Sequence, residues 1–161
     1  GLRQLRIQAE SALVLIAQAK AQQPDLREQA ALEAMEVGAR RLDFIGMKFQ
    51  FAEEIAQMYA RASTPINAQT SNDLNDINSP LNGRIGDLKE GYVLGRELYE
   101  HAWGNENRPT YLGNLTNRYD AAAQLWIERS DRIRGAMAQY RRNKTLPRME
   151  DLGIPRPAPI P

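Results

Sequence analysis

From Ala31 to Tyr59, apolar or small side chains recur without a break at steps of four and three: Ala31, Met35, Gly38, Leu42, Ile45, Phe49, Ala52, Ala56 and Tyr59. An α-helix, with 3.6 residues per turn, brings positions at this spacing onto one face, whereas a strand would need alternation at every second residue. The spacing therefore predicts a helix over about 25–62, the longest in the chain. A second apolar row, Phe44, Met47, Phe51, Ile55 and Met58, lies on another face, so the C-terminal half of this helix is expected to touch neighbours on two sides, and the helix to be central. Gly38 and Gly46 each cost roughly 1 kcal/mol against alanine in a helix interior, which points to close approach by another helix.

The same spacing organises the rest of the chain. Leu2, Leu5, Ala9, Ala12, Ile16 and Ala19 predict a helix over 2–22, stopped before Pro24, with Asp25 as the cap of the next. Between Ser63 and Ser79 the pattern stops among Asn67, Asn72, Asn75 and Asn78, and a long polar loop is expected. Ser79-Pro80 reads as a cap and first-turn proline for a helix over 80–103, closed by Gly104. Pro109 opens a helix over 109–142 with Leu112, Leu115, Tyr119, Ala123, Trp126, Ile133, Met137 and Tyr140 on its stripe. A short turn over 147–152 closes at Gly153, and Pro155, Pro157, Pro159 and Pro161 force an extended tail over 155–161. No proline falls in the interior of a predicted helix and no strand pattern competes. The fold class expected is all-α, an antiparallel four-helix bundle over 1–154 with a long polar loop between its second and third helices and a proline-rich C-terminal tail.

At 161 residues, 42% hydrophobic and 25% charged, the chain is one ordinary domain that needs neither disulfide nor metal to bury a core. A net charge of +1 supplies no field toward nucleic acid or an anionic membrane, and no stretch is apolar enough to span a bilayer. The absence of cysteine leaves the compartment open. The chain opens Gly1-Leu2-Arg3 with no initiator methionine, as an excised fragment would.

Functional side-chain types are densest around the turn between the third and fourth predicted helices, at Arg96, Glu97, Glu100, His101, Trp103, Glu106, Asn107, Arg108 and Tyr111. These are the candidate binding residues. Glu97 and His101 share a helix face, but a di-iron bundle needs a Glu-x-x-His element from each of two helices and the chain has one histidine. Capping of the helix C-terminus is the better use of His101, and no metal or cofactor is expected. Glu97, Glu100 and Glu106 contain carboxylates enough for acid/base chemistry, but a small bundle rarely supplies the substrate pocket, so ion pairs with Arg96 and Arg108 are expected instead. Trp103 and Tyr111 could stack on a sugar ring, although such aromatics more often fill the end of a bundle. No nucleophile-elbow, phosphate-loop or zinc-helix motif occurs, and no catalytic residue is expected. Arg118, Arg129, Arg132, Arg134, Arg141, Arg142, Lys144 and Arg148 outnumber the acids nearby, yet pairs such as Asp131 with Arg134 read as an ordinary helix face rather than a nucleic-acid surface.

Several phrases, Ala39-Arg40-Arg41-Leu42-Asp43-Phe44-Ile45-Gly46, Asn82-Gly83-Arg84-Ile85-Gly86-Asp87-Leu88, Arg96-Glu97-Leu98-Tyr99, Glu106-Asn107-Arg108-Pro109 and Thr145-Leu146-Pro147, resemble the helical C-terminal region of bacterial glycoside hydrolase family 20 enzymes, of the β-N-acetylhexosaminidase type. That family uses an adjacent Asp-Glu pair on a (β/α)₈ barrel, and this chain has neither the dipeptide nor the barrel. The resemblance implies a non-catalytic accessory domain whose partner is an upstream catalytic domain of the same chain and, through it, a glycan, in a periplasmic or secreted protein. The alternative is an independent helical protein-interaction module.

Overall fold

The structure, a computed structural model, describes residues 1–25, 27–106, 108 and 110–155, with the side chain of Glu106 outside that description. The described residues form five α-helices and no strand: α1 (Leu2–Gln22), α2 (Gln29–Ser63), α3 (Thr70–Asn78), α4 (Arg84–Glu106) and α5 (Leu112–Asn143). A 3₁₀ turn, Met149–Leu152, follows. The class is all-α. Of the predicted proline-rich tail, residues 156–161 lie outside the described residues.

Several boundaries differ from expectation, each for a local reason. α2 starts at Gln29 rather than Asp25: Pro24, Asp25, Arg27 and Glu28 lie in turn conformations, and the Gln29 side-chain amide donates to the Pro24 carbonyl at 2.6 Å. Ser79 does not cap a helix at 80. Its hydroxyl accepts from the Leu81 N–H and its carbonyl from the Gly83 N–H, closing a turn that delays α4 to Arg84. Gly104 does not stop α4, which runs two residues further to Glu106. α5 begins at Leu112 because Tyr111, at φ 75°, is outside helical space. At its far end Lys144 takes a left-handed conformation, φ 58°, and its N–H satisfies the Tyr140 carbonyl.

The expected polar loop over 63–79 contains α3. Thr70, at its first position, donates its hydroxyl to the Ala62 carbonyl at 2.9 Å, satisfying an orphan acceptor at the end of α2, and accepts from the Asn67 N–H at 3.0 Å. Asp73 sits in the first turn, where the helix dipole favours an anion, and pairs with Arg61 at 2.9 Å. Leu74 and Ile77, three apart, are both buried. Burial of two large side chains outweighs the poor helix propensity of the Ser and Asn residues around them, each such side chain contributing about 1.5–3 kcal/mol.

The described chain divides into two compact units, one of residues 1–50 and 91–121, the other of residues 51–90 and 122 onward. The second unit holds most of the buried core. Ile55, Ala56, Met58, Tyr59 and Ala62 of α2 are buried there with Leu74 and Ile77 of α3, Ile85 and Leu88 of α4, and Trp126, Ile133 and Ala136 of α5. Leu152 and Ile154 complete it, the turn before them being closed by Gly153 at φ 70°. The Tyr59 hydroxyl donates to the Pro147 carbonyl at 2.8 Å, and burial raises its pKa well above the phenol range.

The first unit is built differently. Among its described residues the buried apolar side chains are Ala9, Ile16 and Ala39, and charged pairs join α1 to α2: Arg6 to Asp43 at 2.9 Å and Lys20 to Glu36 at 2.7 Å. Gly46 permits the close approach expected of it, since a Cβ there would collide with the Arg6 side chain, whereas Gly38 faces open space. The largest departure from expectation is the apolar stripe of α2. Met35 is 62% exposed, Leu42 46% and Phe49 52%, although Ala56 and Tyr59, on the same stripe, are buried in the second unit.

Candidate functional site

The candidate residues around the α4–α5 turn do not converge on one point. Arg96 grips Glu100 one turn along α4, through two contacts of 3.2 Å. Its Nε lies 3.0 Å from Asp120 Oδ1 on α5 yet makes no hydrogen bond, so the N–H is aimed off that line and the contact is Coulombic. Glu97 is exposed. His101, well inside α4 rather than capping it, is also exposed, and its acidic neighbour is Glu33 of α2 at 4.0 Å. Glu33 also accepts from the Asn105 side chain at 3.0 Å. No group of three potential metal ligands forms among the described residues.

Trp103 is half-buried, and its indole N–H donates to the Arg108 carbonyl at 2.8 Å, bracing the end of α4 against the turn that follows. Its ring lies 5.9 Å from that of Tyr99, which in turn lies 6.3 Å from Tyr119 and carries the Arg41 guanidinium 5.6 Å from its centroid. Tyr111 is 73% exposed. Asn107 and the Glu106 side chain lie outside the described residues. Several basic residues of α5 and its exit are engaged locally: Arg129 lies over Trp126 at 4.5 Å, Lys144 over Tyr140 at 4.7 Å, Arg134 pairs with Asp131 at 2.8 Å, and Arg148 with Asp151 at 3.0 Å.

Sequence reasoning missed a cavity of about 400 Å³ in the first unit. Leu13 of α1, Val37, Phe44 and Met47 of α2, Leu94 and Leu98 of α4, and Tyr119 of α5 line it. Two glycines of α4 shape its walls. A Cβ on Gly91 would collide with the Phe44 ring, and one on Gly95 would press Tyr119 at 3.2 Å. Without those side chains, Phe44 lies against the α4 backbone and meets Tyr92 edge-on at 4.8 Å. A recess of about 280 Å³ shares Arg41, Tyr92 and Tyr119 with the cavity and adds Tyr99, Leu115 and Arg118. The one signal in the sequence was Gly91 and Gly95 a turn apart inside a helix, beside the Phe44–Met47 row. The size suits a small molecule, and the lining is predominantly apolar with a few polar groups.

No protein-family model matches the chain, and neither the curated proteins nor the solved structures provide a match.

Proposed function

We propose that this chain is a non-catalytic helical accessory domain, an antiparallel four-helix bundle that packs on the catalytic barrel of a glycoside hydrolase resembling the β-N-acetylhexosaminidases. The observation that carries the docking role is the seam of Met35, Leu42 and Phe49, three large apolar side chains seven residues apart on α2 and each about half exposed. Seven-residue spacing keeps them in one line along the helix, the arrangement by which a helix seats on an apolar partner. The family phrases quoted above supply the identity of that partner. The scattered contacts of Arg96, Glu100, His101 and Trp103 fit positioning of the α4–α5 turn better than chemistry.

Sequencing the reading frame that encodes the chain tests the proposal directly. A (β/α)₈ barrel with an adjacent Asp-Glu pair upstream is the expected result, and an upstream coiled coil or signalling domain would replace it with an independent interaction module. Expressed alone, residues 1–161 should not hydrolyse an N-acetylglucosaminide, and measurable turnover would overturn the non-catalytic reading.

A further inference from the structure

We propose that the cavity lined by α1, α2, α4 and α5 in the first unit binds an amphipathic anion, a single apolar body carrying a carboxylate or phosphate monoester. The apolar body follows from the walls: Leu13, Val37, Phe44, Met47 and Leu98 offer nothing to a fully polar ligand. The anionic head follows from the charges. Four charged side chains line the cavity: Arg40, Arg41, Asp43 and Lys48. Asp43 is taken by Arg6 at 2.9 Å, and Arg40 by Glu36, also at 2.9 Å. That leaves Arg41 and Lys48, for which no carboxylate partner exists among the described residues; Arg41 lies over Tyr99 and Lys48 over Phe49. Tyr92 and Tyr119 also line the cavity, and their hydroxyls have no hydrogen-bond partner among the described residues. Among the described residues, two cations without a carboxylate partner and two hydroxyls without a hydrogen-bond partner line an apolar chamber, which favours an anionic head on an apolar body over a neutral or cationic one.

The chamber and the docking seam have different centres, since Phe44 follows Leu42 by two residues, about 200° around the helix, but they adjoin where Lys48 of the lining lies over Phe49 of the seam at 5.1 Å. The Met47 and Met35 methyl resonances tell a ligand in one from a ligand on the other.

Calorimetric titration of the whole chain with dodecanoate and dodecyl phosphate, each below its aggregation concentration, tests the inference. Dodecanol and dodecyltrimethylammonium serve as the neutral and cationic controls. Both anions should bind at one site, at least tenfold more tightly than dodecanol, and the cation should not bind. The double variant R41Q/K48Q should lose at least tenfold in affinity for the anions and bind dodecanol as the wild type does. A readout on the wild-type chain keeps the test valid if that variant folds poorly. Of the methionine methyl resonances, Met47 should move on addition of dodecanoate while Met58, Met137 and Met149 stay. Equal affinity for dodecanol and dodecanoate would overturn the proposal, as would a folded R41Q/K48Q variant of unchanged affinity. So would a shift at Met35 without one at Met47, which would put the ligand on the seam. Binding to vesicles of anionic phospholipid with no response to monomeric dodecanoate would also overturn it.

Discussion

Asn78 and Ser130, 52 residues apart, exchange two hydrogen bonds of 2.9 Å: the Asn78 amide donates to the Ser130 carbonyl, and the Ser130 hydroxyl donates to the Asn78 carboxamide oxygen. The pair ties the last residue of α3 to the middle of α5 beside a core in which Ile77 is fully buried. Ser130→Ala leaves the half-buried Asn78 carboxamide oxygen without its partner and should cost about 1–2 kcal/mol, with Asn78→Ala similar or somewhat larger. In a double-mutant cycle read by urea denaturation, the two should couple by about 1 kcal/mol. Simple additivity would mean that the bonds do not hold α3 in place.

Two glycines should respond to alanine with opposite signs. At Gly83 a Cβ would collide with the backbone of Asn78 and Ser79, which cannot swing aside as a side chain does, so Gly83→Ala should destabilise by about 2 kcal/mol. At Gly135, inside α5, a Cβ meets nothing within 4 Å, and Gly135→Ala should stabilise by up to about 1 kcal/mol through helix propensity alone. Chemical denaturation of both variants reads the contrast, and a matching sign would contradict the packing described.

The charged join between α1 and α2 should appear in acid. Lys20 and then Arg40 hydrogen-bond to Glu36 and hold its carboxyl below the ordinary carboxylate range. A folded-state pKa that is lowered contributes stability in full above the unfolded-state value, and loses it as pH falls through the folded one. Glu36→Gln should therefore be less stable than wild type near pH 7, and the two should converge between about pH 5 and pH 2. A gap that does not change across that range would show that the ion pair contributes nothing.

Phe49→Asp separates folding from docking. Phe49 is 52% exposed, so the isolated chain should stay folded and lose no more than about 2 kcal/mol. In a protein that carries the proposed catalytic barrel beside this chain, the same change should expose α2 to limited proteolysis, because a charge would stand in the proposed apolar contact. Protection equal to wild type would remove the seam from the docking surface.

The helical class was legible in the sequence because a 3.6-residue period survives any tertiary context, and because proline ends a helix by local geometry. That is why α1 stops before Pro24 and why no strand forms among the described residues. The same reading placed an apolar line along α2 but could not say how much of it is covered. Periodicity defines a face; only neighbouring elements decide whether that face is buried, and here they cover Ala56 and Tyr59 and leave Met35, Leu42 and Phe49 open. α3 was illegible for a related reason. Its Ser and Asn residues favour turns, and burial of Leu74 and Ile77, the Thr70 link to Ala62 and the Asn78–Ser130 pair override that preference through contacts distant in sequence. The cavity, too, belongs to tertiary structure alone: it exists because Gly91 and Gly95 of α4 make room for Phe44 of α2 and Tyr119 of α5, a complementarity that no single helix records.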